Sequence, residues 1–338
     1  DSNNLKQVMD LGSQYLTGVF PKKKNSKVSK GRLSLALCEN CKLLQLENSF
    51  NHKEMYGDNY GYMSSLNQSM SNHLKNKALN LKKIIKLDID DIVIDIGSND
   101  GTFLSYFEKK FQLIGVDPTI KKFKKNYRKD IKTVSDFFSY DIIRKYLGKK
   151  RAKLITSIAC FYDLPNPIKF VEDIYQSLDD NGVWHFEQSY MPSMIKNMSY
   201  DTICHEHLEY YSLKSVKYIL DKVGFKINNI ELNSINGGSF ALTVSKKKSS
   251  HSLNSKMINW LLHKEDLFKF NDFKTIKEFS INAKKQKILL RNLINNLLDM
   301  NKNVLGYGAS TKGNVILQYC KINNSMIPYI GDVNSFKY

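Results

Sequence analysis

Asp91-Ile-Val-Ile-Asp95-Ile-Gly97-Ser-Asn99-Asp-Gly101-Thr-Phe-Leu104 is the stretch that decides the fold. Ile92 to Ile96 is an apolar run rich in β-branched residues, as a parallel strand buried on both faces should be. Gly97 to Gly101 then turn the chain into a helical pattern, Thr102 to Lys110. A second apolar run, Leu113 to Val116, ends at Asp117. Strand, glycine turn, helix, strand and acid are the parts of a nucleoside-binding unit. Gly97 and Gly101 admit a ligand close to the backbone, and an acid after the second strand accepts ribose hydroxyls. The third glycine of the dinucleotide spacing is missing, and this turn has no Gly-Lys-Ser/Thr phosphate loop. Asp95, Asn99 and Asp117 around such a turn suit a ligand without phosphates. S-adenosylmethionine, with its ribose, adenine and charged amino-acid tail, is the expected cofactor. A structural turn with no ligand is the competing reading.

Outward from this unit, the same domain continues to about Lys246. Asp136, in Thr133-Val-Ser-Asp136-Phe137, stands where an adenine amino group is read in this fold. A strand is predicted at Ala152–Ala159, a helix at Pro167–Leu178, a turn at Asp179-Asp-Asn-Gly182 and a strand at Val183–Glu187. Ligands in open α/β sheets lie beyond the carboxyl ends of the strands. That rule groups Asp117, Asp136, Cys160 to Asp163 and Glu187 to Tyr190 at one crevice. The densest polar cluster follows: Tyr200-Asp-Thr-Ile-Cys204-His205-Glu206-His207-Leu-Glu-Tyr210. The spacing is not His-Glu-x-x-His, so a zinc-protease helix is excluded. In an extended segment His205 and His207 share one face with Glu206 opposite. Histidine is the side chain best suited to take a proton near neutrality; a polar loop with satisfied histidines is the alternative. A helix from Ser215 to Val223 and two strands, Lys226–Leu232 and Phe240–Val244, flank the turn Asn236-Gly-Gly-Ser239, whose amides suit an anion.

The N-terminal region shows little periodicity. It carries a basic loop, Pro21 to Lys27, and Cys38-Glu-Asn-Cys41 after a strand-like run. This reads either as half of a zinc knuckle or as two free thiols; His52 is too distant in sequence to add on spacing. Tyr56 to His73, Tyr62 included, offers hydroxyls and amides to a polar ligand or forms a surface loop. Beyond a Lys-rich helical connector, His251 to Met300, Val304-Leu-Gly-Tyr-Gly-Ala-Ser310-Thr-Lys312-Gly-Asn314 begins a second strand, glycine turn and helix. Here Lys312 and helix-start amides suit a phosphate.

The 338 residues allow two or three domains, and no apolar run reaches membrane-spanning length. Five cysteines, an odd number without a signal peptide, point to a reducing, cytoplasmic setting. The formal charge of +18 invites a nucleic-acid reading. The lysines are spread along the chain with no RNA- or DNA-binding signature, so nucleic acid is not the expected partner. The polar start without Met and the end at Tyr338 are expected truncations of a longer product.

Together these motifs resemble the sugar C-methyltransferases of deoxysugar biosynthesis, the group that includes C-3 methyltransferases acting on dTDP-4-keto-6-deoxyhexoses. The similarity runs over essentially the whole chain. It rests on Asp95 to Gly101, Gly115-Val-Asp-Pro118, Glu187-Gln-Ser-Tyr190, Tyr200 to His207, Gly237-Gly-Ser239 and Gly306 to Gly313. The resemblance implies an α/β chain: a small zinc-type N-terminal region (1–72), a class I Rossmann-like methyltransferase domain (73–248) and a helical connector with a second, incomplete Rossmann-like domain (249–338). It implies Cys38 and Cys41 as the second of two zinc pairs, the first lying upstream. It implies His207 as base with Glu206 as its acidic partner and His205 beside them, while Cys204 stands where relatives carry Tyr. Tyr62, Glu187, Tyr190, Tyr210, Ser239, Ser310 and Lys312 are expected against a dTDP-linked nucleotide-sugar substrate, with a homodimer as the candidate assembly. A small-molecule O- or N-methyltransferase is the alternative on the same fold; an RNA-associated protein retaining that fold is the alternative from another class.

Overall fold

The computed structural model describes residues 4–21, 23, 25–50, 52–56, 60 and 62–334. Its strands are β1 (Leu5–Tyr15), β2 (Lys30–Cys38), β3 (Leu44–Leu46), β4 (Ile92–Ile96), β5 (Gln112–Val116), β6 (Lys132–Val134), β7 (Ala152–Ile158), β8 (Leu178–Ser189), β9 (Glu209–Tyr210), β10 (Phe225–Asn233), β11 (Ser239–Lys246), β12 (Gly306–Tyr307) and β13 (Ile330–Gly331). Its helices are α1 (His52–Met55), α2 (Gln68–Ile84), α3 (Thr102–Ser105), α4 (Ile120–Phe123), α5 (Tyr140–Leu147), α6 (Pro167–Ser177), α7 (Met191–Lys196), α8 (Leu213–Val223), α9 (Ser255–Leu267), α10 (Phe273–Asp299) and α11 (Thr311–Tyr319). The chain folds into two compact units: Tyr62–Ser189 with Leu213–Lys264, and Asp1–Gly61 with Tyr190–Ser212 and Glu265–Tyr338.

The first of these is built on a seven-stranded sheet in the order β10-β11-β8-β7-β4-β5-β6. β8, β7, β4, β5 and β6 run parallel, and β11 is antiparallel to both β8 and β10. All five residues of β4 are buried, which is why its apolar run does not alternate. The chain leaves β4 for β5 on one side, and β7 returns on the other, so the strand order reverses beside β4. This is the class I Rossmann-like α/β arrangement, and its ligand crevice lies at that reversal. Leu74, Ala78 and Leu81 of α2 pack with Val93, Phe103, Phe107, Leu113 and Leu154 in one core cluster.

Two predicted elements differ here. The helix expected over 102–110 ends at Ser105, because the Arg128 guanidinium donates to the carbonyls of Ser105 and Phe107, each at 2.9 Å, and diverts them from helical pairing. The turn expected at Asp179–Gly182 lies inside β8, where pairing with β7 jumps from Ala152↔Leu178 to Leu154↔Val183.

In the second unit β1-β2-β3-β9 form an antiparallel sheet. Leu33, Leu35, Leu37 and Leu44 share a core with Ile203, Cys204, Phe279, Val315 and Tyr319. The second glycine turn does sit between a strand and a helix, β12 and α11, with β12 paired in parallel to β13. β13 starts later than the sequence suggests: the Asn323 side chain accepts from the amides of Ser325 and Met326, holding that segment in a turn. Among the described residues no helix is long and apolar enough to cross a membrane.

Candidate functional site

The turn after β4 is held open by glycine and packed from behind. Gly97 has φ of 71°, and a Cβ there would lie 3.0 Å from the Cys160 Cβ. Gly101 has φ of 78°, and its Cβ would fall 2.8 Å from the Tyr127 ring. Both positions therefore exclude a side chain by conformation and by space. The Tyr127 hydroxyl donates to the Asn99 carbonyl at 2.9 Å and bonds the Ser98 hydroxyl at 2.7 Å, fixing the turn's path. Asn99 itself has φ of 48°.

Three acids surround this turn. Asp117, at the end of β5, accepts the Asn99 amide at 3.0 Å on Oδ2 and the amide and hydroxyl of Thr119 on Oδ1. A carboxylate has about four lone-pair sites, so Oδ2 retains room for a hydroxyl donor. Burial pushes its pKa up, against the Thr119 and Asn99 bonds, and the Asp100 charge adds to the rise. Asp95, buried in β4, is pushed up to about 7 by burial, although Thr156 donates to it at 2.7 Å. Asp100 accepts the Thr102 hydroxyl at 2.6 Å. Among the described residues no ion pair neutralises Asp95, Asp100 or Asp117. Such uncompensated negative charge favours a cationic ligand, and a sulfonium with an ammonium tail fits it.

Residues 62–65 close over the turn. The Ser64 and Ser65 amides donate to Asn99 Oδ1 and Asp100 Oδ2, each at 3.0 Å, and Asn99 Nδ2 donates to the Tyr62 carbonyl. The Tyr62 ring is itself exposed. Asp136 is exposed just beyond β6, with Oδ1 accepting the Phe137 amide at 2.8 Å. In the polar stretch Tyr56 to His73, Gly57 to Asn59 and Gly61 lie outside the described residues.

Glu187 is occupied in a way the sequence did not reveal. His73 Nε2 bonds its Oε1 at 2.6 Å, while Lys77 and Asn233 reach Oε2 at 3.1 and 3.0 Å. Burial disfavours its charge, but His73 and Lys77 outweigh burial and hold it down at about 2. Ser239 is buried and donates to the Ile235 carbonyl at 2.9 Å. Tyr190, in the other unit, is buried and donates to Glu265 at 2.7 Å. These three side chains are tied into the protein's own network.

The His-Glu-His segment is a turn rather than extended backbone, with the His207 amide bonded to the Cys204 carbonyl. The two histidines consequently do not share a face. His205 is fully buried: Thr17 meets Nδ1 at 3.1–3.2 Å and Nε2 meets the Gly31 carbonyl at 3.2 Å. Burial lowers it to about 4. Both ring nitrogens are engaged, which is the environment of a structural histidine. His207 is partly exposed, and its Nδ1 lies 2.9 Å from the Thr202 carbonyl. A carbonyl only accepts, so Nδ1 carries the proton and Nε2 keeps its lone pair. Burial lowers His207 to about 4, with the Thr202 bond opposing and the Lys312 charge assisting.

Glu206 is buried against Gly18, where a Cβ would fall 1.5 Å from its Oε1. Among the described residues its Oε2 has no hydrogen-bond partner, and burial raises its pKa despite Cys204 and Thr17. Tyr210 is buried in β9, opposite Leu44. Ser310 caps α11, accepting the Gly313 amide at 3.0 Å. The fold brings Lys312, in the first turn of that helix, within electrostatic reach of Asp201, Cys204 and His207. Sequence reading missed Thr17, Gly18, Tyr127 and Lys77, and held Thr202 and His73 only as members of longer polar stretches; an isolated Thr or Tyr far along the chain carries no motif.

Cys38 is buried and Cys41 half-buried, and neither is in a disulfide. Burial and the Cys38 thiol push Cys41 up, against a bond from Leu43. The His52 side chain lies outside the described residues. Among the described residues no group of three His, Cys, Asp or Glu side chains could hold a metal ion. Two thiols do not fit a four-ligand zinc site by themselves, so no chemistry is derived through zinc.

Three family models match the chain in order: "Putative zinc binding domain" over residues 1–56, "Methyltransferase domain" over 65–230 and "C-methyltransferase C-terminal domain" over 234–338. The chain is 24% identical over 307 residues to the C-methyltransferase NovU of Streptomyces niveus, covering 90% of this chain and 73% of that one. It is similar in structure to the plantazolicin methyltransferase BpumL in complex with SAH, at 14% identity and a TM-score of 0.41, covering 52% of this chain and 84% of that one. A S-adenosylmethionine-dependent methyltransferase from Clostridium acetobutylicum matches at 10% identity and a TM-score of 0.42, covering 52% and 92%.

Proposed function

Taking as premise that this chain is an S-adenosylmethionine-dependent methyltransferase with a C-methyltransferase C-terminal domain, we propose that it methylates a carbon, C3, of a nucleotide-linked 4-keto-6-deoxy sugar through an enolate. The observation that carries this reading is the His207 tautomer: Nδ1 bonded to the Thr202 carbonyl leaves Nε2 as a neutral base. A C4 ketone acidifies the C3 proton, and a base of this kind removes it. The acids at the cofactor turn hold the positively charged donor: Asp117 takes ribose, and the Asp100 charge, which also acts on Asp117, supplies negative potential. Bound there, S-adenosylmethionine supplies the electrophilic methyl group.

Carbon methylation places two demands on the protein. The carbanion must form only when the methyl donor is present, and the two substrates must be held in van der Waals reach. Such positioning contributes about 7–11 kcal/mol at its ceiling. The polar loop at Ser64 and Ser65 is bonded to Asn99 and Asp100 of the cofactor turn and so helps to fix the geometry that the second demand requires. The nucleotide is read as dTDP, and Ser310 with the glycine turn Gly306 to Gly313 is the candidate seat of its phosphates.

Deuterium wash-in tests the proposal. The protein is incubated with dTDP-4-keto-6-deoxyglucose in D₂O with and without S-adenosylmethionine, and product mass is followed. Deuterium at C3 together with gain of one methyl supports the enolate route. Methyl gain at oxygen, or bound cofactor with neither event, sends the reading to the O- or N-methyltransferase alternative.

A further inference from the structure

We propose that the lysine-rich segment 118–132 is the surface that captures the anionic nucleotide-sugar substrate and draws it to the cofactor crevice, a role distinct from holding the bound phosphates; this rests on the function proposed above. The segment has seven Lys or Arg residues against one acid, Asp130, where the whole chain has 51 in 338. Asp130 is already held by Arg128 at 2.7 Å, so the lysine charges stay in place. Local packing decides which way those lysines face. Ile120, Phe123 and Tyr127, spaced as one side of a helix, are buried. Lys121, Lys122, Lys124, Lys125 and Lys129 are left exposed. Hydrogen bonds fix the segment beside the crevice. Asp117, just before it, accepts the Asn99 amide at 3.0 Å, and the Tyr127 hydroxyl donates to the Asn99 carbonyl at 2.9 Å. Between these anchors Asn126 Nδ2 donates to Met63 Sδ at 3.4 Å, next to Ser64, whose amide donates to the Asn99 side chain. The lysines therefore lie along a clasp on the cofactor turn, beyond the carboxyl end of β5, where the crevice opens.

Two charged molecules must meet at this turn, and they need fields of opposite sign. S-adenosylmethionine carries a net positive charge and suits the buried Asp100 and Asp117. The substrate's diphosphate is negative, and the same acids repel it. Exposed lysines on the rim reverse the sign of the field along its approach and raise the rate of encounter. Range separates this role from that of a phosphate ligand. Exposed, strongly hydrated ammoniums act through solvent over about a Debye length, about 8 Å at physiological ionic strength, and salt removes the effect. Direct phosphate contacts persist in part when the field is screened. Place separates it from net charge. The amino ends of the strands lie a strand length from the crevice, about 16 Å for the five residues of β4. Exposed lysines toward those ends, Lys86, Lys145, Lys149 and Lys150, add to the net charge but not to the field at the rim.

The test measures kcat and kcat/KM of the full chain for dTDP-4-keto-6-deoxyglucose at saturating S-adenosylmethionine. Salt is varied from about 0.01 to about 1 M, over which the Debye length falls from about 30 to about 3 Å. Wild type is compared with two charge-reversed variants. The rim variant combines Lys121→Glu, Lys124→Glu, Lys125→Glu and Lys129→Glu; the control combines Lys86→Glu, Lys145→Glu, Lys149→Glu and Lys150→Glu. Absence of methyl gain in wild type would sink the function reading itself, and this inference with it. With wild type active, its kcat/KM is expected to fall as salt rises. At low salt the rim variant should lose about 10- to 100-fold in kcat/KM, within the range of electrostatic steering, with kcat unchanged. At high salt it should approach wild type, and the control should stay close to wild type throughout. Equal losses in both variants would assign the effect to net charge. A loss in the rim variant that persists at high salt would make these lysines phosphate ligands. Either result overturns the inference, as does a wild-type kcat/KM that is flat with salt. Should the rim variant fail to fold, the same four lysines are changed to Gln, and a salt profile identical to that of wild type overturns it equally.

Discussion

Glu187→Gln discriminates between two roles for a residue that sequence places against substrate and structure places in an internal brace. The carboxylate is 2% exposed and receives His73, Lys77 and Asn233. Its pKa falls from 4.5 to about 2. At 1.36 kcal/mol per pH unit, that depression corresponds to about 3 kcal/mol of folding stability. The folded value lies below the unfolded one, so this contribution is present above the unfolded pKa and is lost as pH falls from about 4.5 toward about 2. The amide keeps the shape but removes the charge, leaving the buried Lys77 ammonium with only the more exposed Glu231. A loss of about 3 kcal/mol at pH 7 should lower the melting temperature by about 6–12 °C in a domain of this size. Calorimetry at pH 7 and pH 3 measures both quantities, and the gap between wild type and variant should narrow at pH 3. A variant that melts within about 1 °C of wild type at both pH values, yet loses substrate affinity, would refute the brace and restore the substrate role.

Four further outcomes are expected. Gly101→Ala should cost at least tenfold in affinity for S-adenosylhomocysteine by calorimetry, because its Cβ would meet the Tyr127 ring at 2.8 Å and φ is positive; unchanged affinity would remove the turn from the cofactor site. Asp117→Asn should weaken the same ligand by about 10- to 100-fold, the scale of losing a hydrogen bond to a charged group. The acid limb of kcat/KM should fall through about 4, not through the ordinary histidine range near 6.5, since a lowered pKa keeps His207 deprotonated to lower pH; His207→Asn should abolish C3 exchange as well as methyl transfer.

Legibility in the sequence follows from how local each cause is. β4 was readable to the residue because a strand buried on both faces needs an unbroken apolar run. β1 was not readable, although it is 11 residues long. Its pairing with β2 slips between Gln7 and Met9 and again between Asp10 and Ser13, and each irregularity disrupts the alternation that marks a strand. The Cys204–His207 segment was found as a cluster but misread in conformation. Its turn is set by Thr17 and Gly18, which are close only after β1 and β2 have formed.

The sequence alone therefore determined the framework of the proposed cofactor site: the Gly97 and Gly101 turn, Asp95 in β4 and Asp117 at the end of β5. All four lie within a short span whose strand, turn and strand fold by local rules. Tertiary structure alone decided which nitrogen of His207 is basic, that His205 is structurally satisfied and that Glu187 is bonded to α2. His205 and Glu187 depend on partners distant in sequence, Thr17 and Lys77, and the His207 tautomer depends on a turn that carries its ring back to the Thr202 carbonyl. Protonation state and hydrogen-bond roles are properties of the assembled surroundings, whereas a glycine turn between two buried strands is already a property of the chain.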